Sequence, residues 1–417
     1  MRNDNGIDLR NCSRRSRWIE FPVFFTALLV LFALNLALRW PGSLTPDSIS
    51  QLAQARGGHF TDWHPPIMAM LWRAMLPFES GMFVLQVAIH WFGIGALGER
   101  LRRDRLHKWA YLMLASGLTP IALKYTGVVQ KDSLLASCFI ASAGFLALRL
   151  RGPAVLIAAV GTLSRVNGVF ASPSLFVRGP LAPLLGAVIA IALIPVSMTL
   201  NRLVASPSGV ERSLQLYDLT GIAYYSGDTS ILPVPIPNLK GCYTPLFWDT
   251  LGSARCGKAF QRLNRDITGN WVRGIFNHPL SYAEHRFSQF NRGIFFIVPP
   301  RQQCVEAPEF HDCPQGLEKD YLEKNALLWP VTWLALGLAM LSSNLKPLPR
   351  SLTLSGLMYG FAYLFVGVAA DFRYFYWTEL AVQSALLFHI ASRGPWKRLL
   401  VFVAPVIAAG YVARALL

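Results

Sequence analysis

Four short polar constellations interrupt an otherwise apolar chain, and each carries residue types that can do chemistry. The first reads Thr45-Pro46-Asp47-Ser48-Ile49-Ser50-Gln51 and continues, after Gly57-Gly58-His59, as Thr61-Asp62-Trp63-His64-Pro65-Pro66. A carboxylate in such a loop can take a proton from a hydroxyl nucleophile or hold a divalent cation against a phosphate. The plainer reading is helix capping, with Asp47 after Pro46 at one helix start and Asp62 ahead of another near Pro65. For Asp47 the chemical reading is preferred; for Asp62 both stay open.

The second constellation is Lys124-Tyr125 followed by Gln130-Lys131-Asp132-Ser133, which opens an apolar segment. A helix N-terminus with a lysine beside it attracts phosphate. Against that stands a snorkelling lysine with Asp132 as N-cap. In the third, Ser164-Arg165-Val166-Asn167-Gly168, an arginine sits between two apolar half-segments, where a charge is costly unless it faces a cavity. The fourth is Ala370-Asp371-Phe372-Arg373-Tyr374-Phe375-Tyr376-Trp377, either an aromatic belt at a membrane interface or a ligand wall, and Arg373 favours the wall. His278 to Tyr282 with His285, Arg286 and Arg292 reads as an amphipathic lead-in to the membrane.

What must position these groups is a set of long apolar blocks. Of 417 residues 53% are hydrophobic and 15% charged, and blocks such as Phe21 to Leu38, Gly81 to Gly98 and Leu181 to Leu200 approach the roughly 20 residues that span a bilayer. Backbone polar groups in lipid must bond within their own segment, so the blocks are expected to be helices. The expected fold is an all-α polytopic membrane protein with about eleven spans: 18–38, 80–98, 108–123, 133–148, 153–163, 168–177, 180–200, 327–343, 351–370, 375–391 and 399–416. Three regions follow: an N-terminal membrane module 1–200 with the first outer loop at 39–79, an outer segment 201–326, and C-terminal helices 327–417. The outer segment holds twelve of the 23 acidic residues.

The net charge of +16 comes from short clusters beside apolar blocks, which points to orientation by the positive-inside rule and away from nucleic acid. Arg2, Arg10, Arg14, Arg15 and Arg17 precede the first span and place the N-terminus in the cytoplasm. That span is too long, and lacks the small-residue site, for a cleaved signal peptide. Arg100 to Lys108, Arg149 with Arg151, Arg178, Lys346 with Arg350, and Arg393 with Lys397 and Arg398 then fall on the same inner side, and all four constellations on the outer one.

Cys242, Cys256, Cys304 and Cys313 share the outer segment, where an oxidising compartment permits disulfides, and sequential pairing is the simplest expectation. No Cys-x-x-Cys or His-rich pattern suggests zinc. Cys12 and Cys138 read as free thiols.

The first-loop acid Asp47, the stretch Asp62-Trp63-His64-Pro65-Pro66, the Lys131-Asp132 pair, the Arg165-Asn167 turn and the late Arg373-Tyr374 together resemble the bacterial multi-spanning GT-C glycosyltransferases. The resemblance covers the N-terminal half best. It implies a GT-C-like bundle in the bacterial inner membrane that moves one sugar from a polyprenyl-phosphate carrier to an envelope glycan, lipid or protein acceptor, with inversion. It further implies Asp47, Asp62 and His64 as catalytic residues, with Lys131, Asp132, Arg165, Asn167, Arg373 and Tyr374 around the substrate. No second acid adjoins Asp47, so a divalent cation is allowed but not called for. Two rivals remain: an envelope glycan polymerase or ligase, and a flippase of lipid-linked glycans, which would instead carry polar residues through the midplane and broken repeats. A nucleotide-sugar donor is disfavoured, since the chain has no Gly-rich strand-to-helix turn to cradle a diphosphate.

Overall fold

The computed structural model describes residues 9–264, 266–300, 302 and 324–417, with residues 9–20 as backbone only. The basic run Arg2 to Arg17, Cys12 and the expected Cys304–Cys313 pair therefore lie outside the described side chains. The chain is all-α and 74% helical. In order it forms α1 (Leu9–Arg39), β1 (Ser43–Leu44), α2 (Pro46–Gly57), α3 (Ile67–Ala74), α4 (Gly81–Arg103), α5 (His107–Ser116), α6 (Pro120–Thr126), β2 (Val128–Val129), α7 (Lys131–Ala147), α8 (Arg151–Ser164), α9 (Ser172–Phe176) and α10 (Ala182–Val204). The outer segment adds α11 (Glu211–Ser226), α12 (Leu239–Cys242), α13 (Thr268–Asn277) and α14 (Pro279–Gly293), and α15 (Pro330–Leu341), α16 (Pro347–Val366), α17 (Tyr376–Ala391) and α18 (Trp396–Leu416) close the bundle.

Among the described residues four helices, not eleven, are long and apolar enough to cross a membrane: Phe21–Arg39, Gly81–Arg103, Ala182–Val204 and Trp396–Leu416. Several of the other expected spans are shortened by local chemistry. Residues 108–123 break at Gly117–Thr119 into α5 and α6, with Pro120 at the start of the second. Residues 168–177 become a 3-10 turn over Val166–Phe170 and the five-residue α9. At about 1.5 Å per residue, the 12-residue α15 and 17-residue α7 fall short of the roughly 30 Å hydrocarbon core. Both are packed inside the protein, as α4 largely is, whereas α10 and α18 carry exposed apolar side chains such as Leu184, Ile191, Val401 and Phe402.

The centre of the bundle is α4 against α7. A Cβ on Gly93 would stand 2.6 Å from the backbone nitrogen of Ala141, so the two backbones approach as only glycine allows. Farther along, Gly144 meets Ala96, so the two helices run in the same direction. Helix α17 runs alongside them, with Trp377 edge-on to Phe139 at 5.3 Å. Their N-termini gather at one end of the bundle and their C-termini at the other. At the first end β1 and β2 pair in parallel, Ser43 with Val128 and Leu44 with Val129, which sets the starts of α2 and α7 side by side. Gln86 of α4 secures this join by donating to the carbonyls of Thr126 and Val128 at 3.2 and 2.9 Å.

The outer segment has its own core around Leu216, Tyr217, Leu219, Leu251 and Ile267, closed by the expected Cys242–Cys256 disulfide. At its heart is a polar network around the buried Asp218, His285 and Arg286. Asp218 pairs with Arg286, lies 3.1 Å from His285 Nε2 and accepts from Trp271 Nε1 at 2.7 Å, while Tyr243 Oη lies 2.9 Å from His285 Nδ1. His285 and Arg286 thus face inward, and the amphipathic face expected of this region is carried by the exposed Phe276, Leu280 and Phe287. Arg286 Nη1 also donates to the carbonyl of Gly367 at 2.7 Å. Trp248 N donates to Val368 O at 2.9 Å, so the outer segment grips the loop that leads into Arg373.

Candidate functional site

The paired strands decide where Asp47 points. Thr45 caps α2, its side chain and that of Ser48 forming a reciprocal capping box, and Ser48 Oγ donates to Val129 O across the join. With Thr45 as the cap, the Asp47 carboxylate is not needed for capping and turns toward α7. Lys131 Nζ lies 3.3 Å from Asp47 Oδ2, and Arg373 Nη1 reaches the same oxygen at 3.3 Å. His64 Nδ1 is 2.7 Å from Lys131 Nζ, and its Nε2 stands 3.8 Å from Asp47 Oδ1.

The loop that carries His64 is clamped on either side. Phe60 and Asp62 bond through their backbones to Ser206, and Asp62 accepts from Ser208 N and Oγ at 2.5 and 2.6 Å. Arg202 Nε adds an ion pair to Asp62 at 3.4 Å. Trp63 packs against Trp248 and Phe260 of the outer segment, which also touch each other. Asp62 therefore ties the first outer loop to the outer segment, and neither of the roles left open for it, cap or catalyst, describes its contacts; α3 begins after Pro66 without a side-chain cap.

Behind Lys131 lies a second, drier pair. Asp132 is buried and forms an ion pair with Arg165, whose side chain comes from the extended residue between α8 and the 3-10 turn. Gln130, not Asp132, holds the N-cap position of α7. The Arg165 guanidinium lies 4.5 Å above the Tyr374 ring, and Tyr374 stacks on Tyr363 at 5.1 Å. Asn167 bonds the Tyr363 hydroxyl. Despite the ion pair, Arg165 Nε and Nη1 have no hydrogen bond of acceptable geometry, so directional donor capacity remains at this buried cation. The aromatic stretch is not a lipid-facing wall: Tyr374, Phe375, Tyr376 and Trp377 are all buried in the bundle, and Tyr374 acts as a shelf for Arg165.

Of the sequence candidates, Asp47, His64, Lys131, Asp132, Arg165, Asn167, Arg373 and Tyr374 converge, and Asp62 does not join them. Sequence reasoning missed Asp371 as a site residue. It caps the turn by accepting from Arg373 N at 2.9 Å and holds Arg373 Nε at 2.9 Å, and its place two residues before an arginine at a helix start was the available signal.

The electrostatics separate the groups. Burial opposes the charge on Asp47, but Lys131, Arg373 and His64 outweigh it and draw the carboxyl down to about 2. His64 is driven to about 3 by burial and then by the Lys131 charge, so at neutral pH the ring is uncharged and its Nδ1 can accept from the ammonium. The result is an anionic carboxylate beside two cations, Lys131 and Arg373, with the Arg165–Asp132 pair behind Lys131; the Arg373 and Asp47 side chains keep 22% and 28% of their surface exposed. Asp47 shares its oxygen with two cations, so a divalent ion placed there would meet two positive charges; the residues do not fit one. Among the described residues no group of three or more His, Cys, Asp or Glu side chains is arranged to hold a metal.

Next to this cluster, α8, α9 and α10 enclose an apolar groove of about 410 Å³. Leu163 and Val169, which flank Arg165 in the chain, line its wall together with Phe176, Leu193 and Leu200. No protein family, curated protein or solved structure matches this chain.

Proposed function

We propose that this chain is a membrane glycosyltransferase of GT-C type, residing in the bacterial inner membrane with its N-terminus in the cytoplasm. It takes a sugar from a polyprenyl-phosphate carrier and passes it to an envelope glycan, lipid or protein acceptor on the outer side. The single observation that carries the reading is the Asp47 carboxylate held between Lys131 and Arg373, with the Arg165–Asp132 pair behind Lys131 and an apolar groove whose wall includes Leu163 and Val169, close to Arg165 in the chain. A lone carboxylate could be a base in many enzymes. A carboxylate, three cations and an adjoining apolar groove suit a substrate that is a phosphate at one end and a hydrocarbon at the other.

The chemistry follows from the charges. The donor phosphate binds where Lys131, Arg165 and Arg373 can reach it, and its prenyl chain lies in the groove between α8 and α10. Once the phosphate shares Lys131 and Arg373, Asp47 loses part of the attraction that holds its carboxyl near 2, and its basicity rises as the donor arrives. Asp47 then accepts the proton of the acceptor hydroxyl. The hydroxyl oxygen bonds to the anomeric carbon while the bond to the phosphate oxygen breaks, and the departing phosphate is stabilised by the same cations. His64 fixes Lys131 through Nδ1.

Proteoliposomes containing the purified chain, an acceptor extract and radiolabelled polyprenyl-phosphate sugar test this. Transfer is expected with the lipid donor and is expected to fall about 10²–10⁴-fold in Asp47→Asn, the range for losing a general base. Turnover with a nucleotide sugar in the absence of any lipid carrier overturns both donor and orientation.

A further inference from the structure

The opposite end of the bundle carries a feature that the transfer reaction does not use. There, Arg100 of α4, Arg149 and Arg151 at the α7–α8 turn, Arg178 after α9 and Lys346 before α16 line one pocket of about 470 Å³. Asp104 is the only acid on that wall among the described residues, and it is paired with Arg100 at 3.0 Å. Arg149, Arg151, Arg178 and Lys346 have no acidic partner among the described residues, and their side chains are exposed. Cations from three separate connections and the last turn of α4 therefore meet in one concavity.

A second observation lies in the backbone. Helices α4, α7 and α17 each end in a Schellman turn, with Leu106 N bonded to Leu101 O, Leu150 N to Phe145 O and Gly394 N to His389 O. Each turn needs a left-handed residue, the position that favours glycine. In all three it is arginine: Arg105 at φ 62°, Arg149 at φ 66° and Arg393 at φ 59°. A side chain with a Cβ is strained there, and of the three it is Arg149 that lines the pocket, so the backbone bears a cost where that cation is presented. Membrane insertion accounts for basic residues on one side of a bundle. It requires neither a shared pocket nor left-handed arginines.

We propose that this pocket binds the phosphate headgroup of an anionic phospholipid in the leaflet at this end of the bundle. The headgroup supplies the negative charge that the wall lacks, guanidinium groups suit phosphate oxygens, and α10 begins four residues after Arg178 with an exposed apolar flank for the acyl chains. The site is remote from Asp47 and independent of the transferase reading.

The test is a titration of the full chain in neutral detergent with micellar phosphatidylglycerol, with phosphatidylcholine and with inorganic pyrophosphate. Phosphatidylglycerol is expected to bind at least tenfold more tightly than phosphatidylcholine, and less tightly as salt is raised. The triple variant Arg149→Gly, Arg178→Gln, Lys346→Gln is expected to lower that affinity by about a hundredfold, and Lys240→Gln in the outer segment to leave it unchanged. Arg149→Gly alone gives the sharper check, because glycine accepts the left-handed turn. Its melting temperature is expected to hold or rise while phosphatidylglycerol affinity falls about fivefold. A drop in melting temperature with unchanged lipid affinity shows a structural arginine and overturns the proposal. So does equal binding of the two lipids, or pyrophosphate binding as tightly as phosphatidylglycerol, which makes the ligand a soluble phosphate.

Discussion

The Asp47 and Asp218 clusters are assembled from the same parts, a carboxylate, a histidine and arginine or lysine, yet they sit in opposite surroundings. Asp218, His285 and Arg286 are sealed inside the outer segment, and Trp271, Tyr243 and the Gly367 carbonyl take up polar atoms around them. Asp47 and Arg373 remain partly exposed where two helix starts and two loops meet. Burial also treats the two acids differently: in Asp218 it is outweighed by one arginine together with hydrogen bonds from His285 and Trp271, whereas in Asp47 it is outweighed by charges that an incoming anion can draw away. The comparison teaches that residue type does not separate a structural ion pair from a reactive one. Access and the replaceability of the partners do.

The largest effects should divide the two clusters cleanly. Asp218→Ala leaves Arg286 buried without its carboxylate and is expected to destabilise the protein by about 3–5 kcal/mol, read by thermal unfolding in detergent. Asp47→Asn is expected to cost only about 2 kcal/mol in the same measurement, the amount that matches a carboxyl drawn from 3.8 to about 2, while losing transfer. Equal destabilisation by both changes would make the Asp47 cluster a structural pair and dissolve the contrast.

A smaller effect concerns pH. His64 has its folded value at about 3 against an ordinary 6.5. As pH falls through 6.5 the unfolded chain takes up a proton that the folded chain refuses until about 3, so stability declines across that window. The decline is expected to be on the order of 3 kcal/mol, and His64→Gln, which can still accept from Lys131, should flatten it in unfolding curves taken between pH 7 and about 4. Asp47 acts in the same sense farther down. Its lowered carboxyl favours the folded state above about 4, and that contribution fades as pH drops toward about 2.

The outer segment is next. Replacing Cys242 and Cys256 by serine opens a 14-residue separation and is expected to cost about 2–4 kcal/mol by freeing the unfolded chain. Because this segment grips residues 367–370, the loss should also loosen Arg373, which limited proteolysis between α16 and α17 would register. An unchanged digestion pattern would show that the outer segment does not position the site. The smallest effect is expected at Asp62. Asp62→Asn weakens its bonds to Ser208 and Arg202 by about 1–2 kcal/mol and should reduce transfer only severalfold, in contrast to Asp47→Asn.

Much of this was legible in the linear chain, and for identifiable reasons. Apolar blocks become helices because backbone groups away from water must bond locally. The Cys242–Cys256 closure is a matter of short separation. Asp47, Lys131, Arg165 and Arg373 could be nominated because an isolated charge beside an apolar segment is costly enough to need a purpose. The number of spanning helices could not be read, because an apolar residue can be buried by protein as well as by lipid. Residues 133–148 and 375–391 look like spans and form buried helices of 17 and 16 residues, shorter than a bilayer needs. Nor could the partners that assign roles: Asp62 meets Ser208 across 146 residues, Arg286 meets Asp218 across 68, and the aromatics after Arg373 turn inward to support Arg165. Local composition determined which segments are helical and which charges are costly. Only the tertiary structure decided which of those charges meet, since an ion pair between distant residues depends on how the helices pack and not on the residues that separate them.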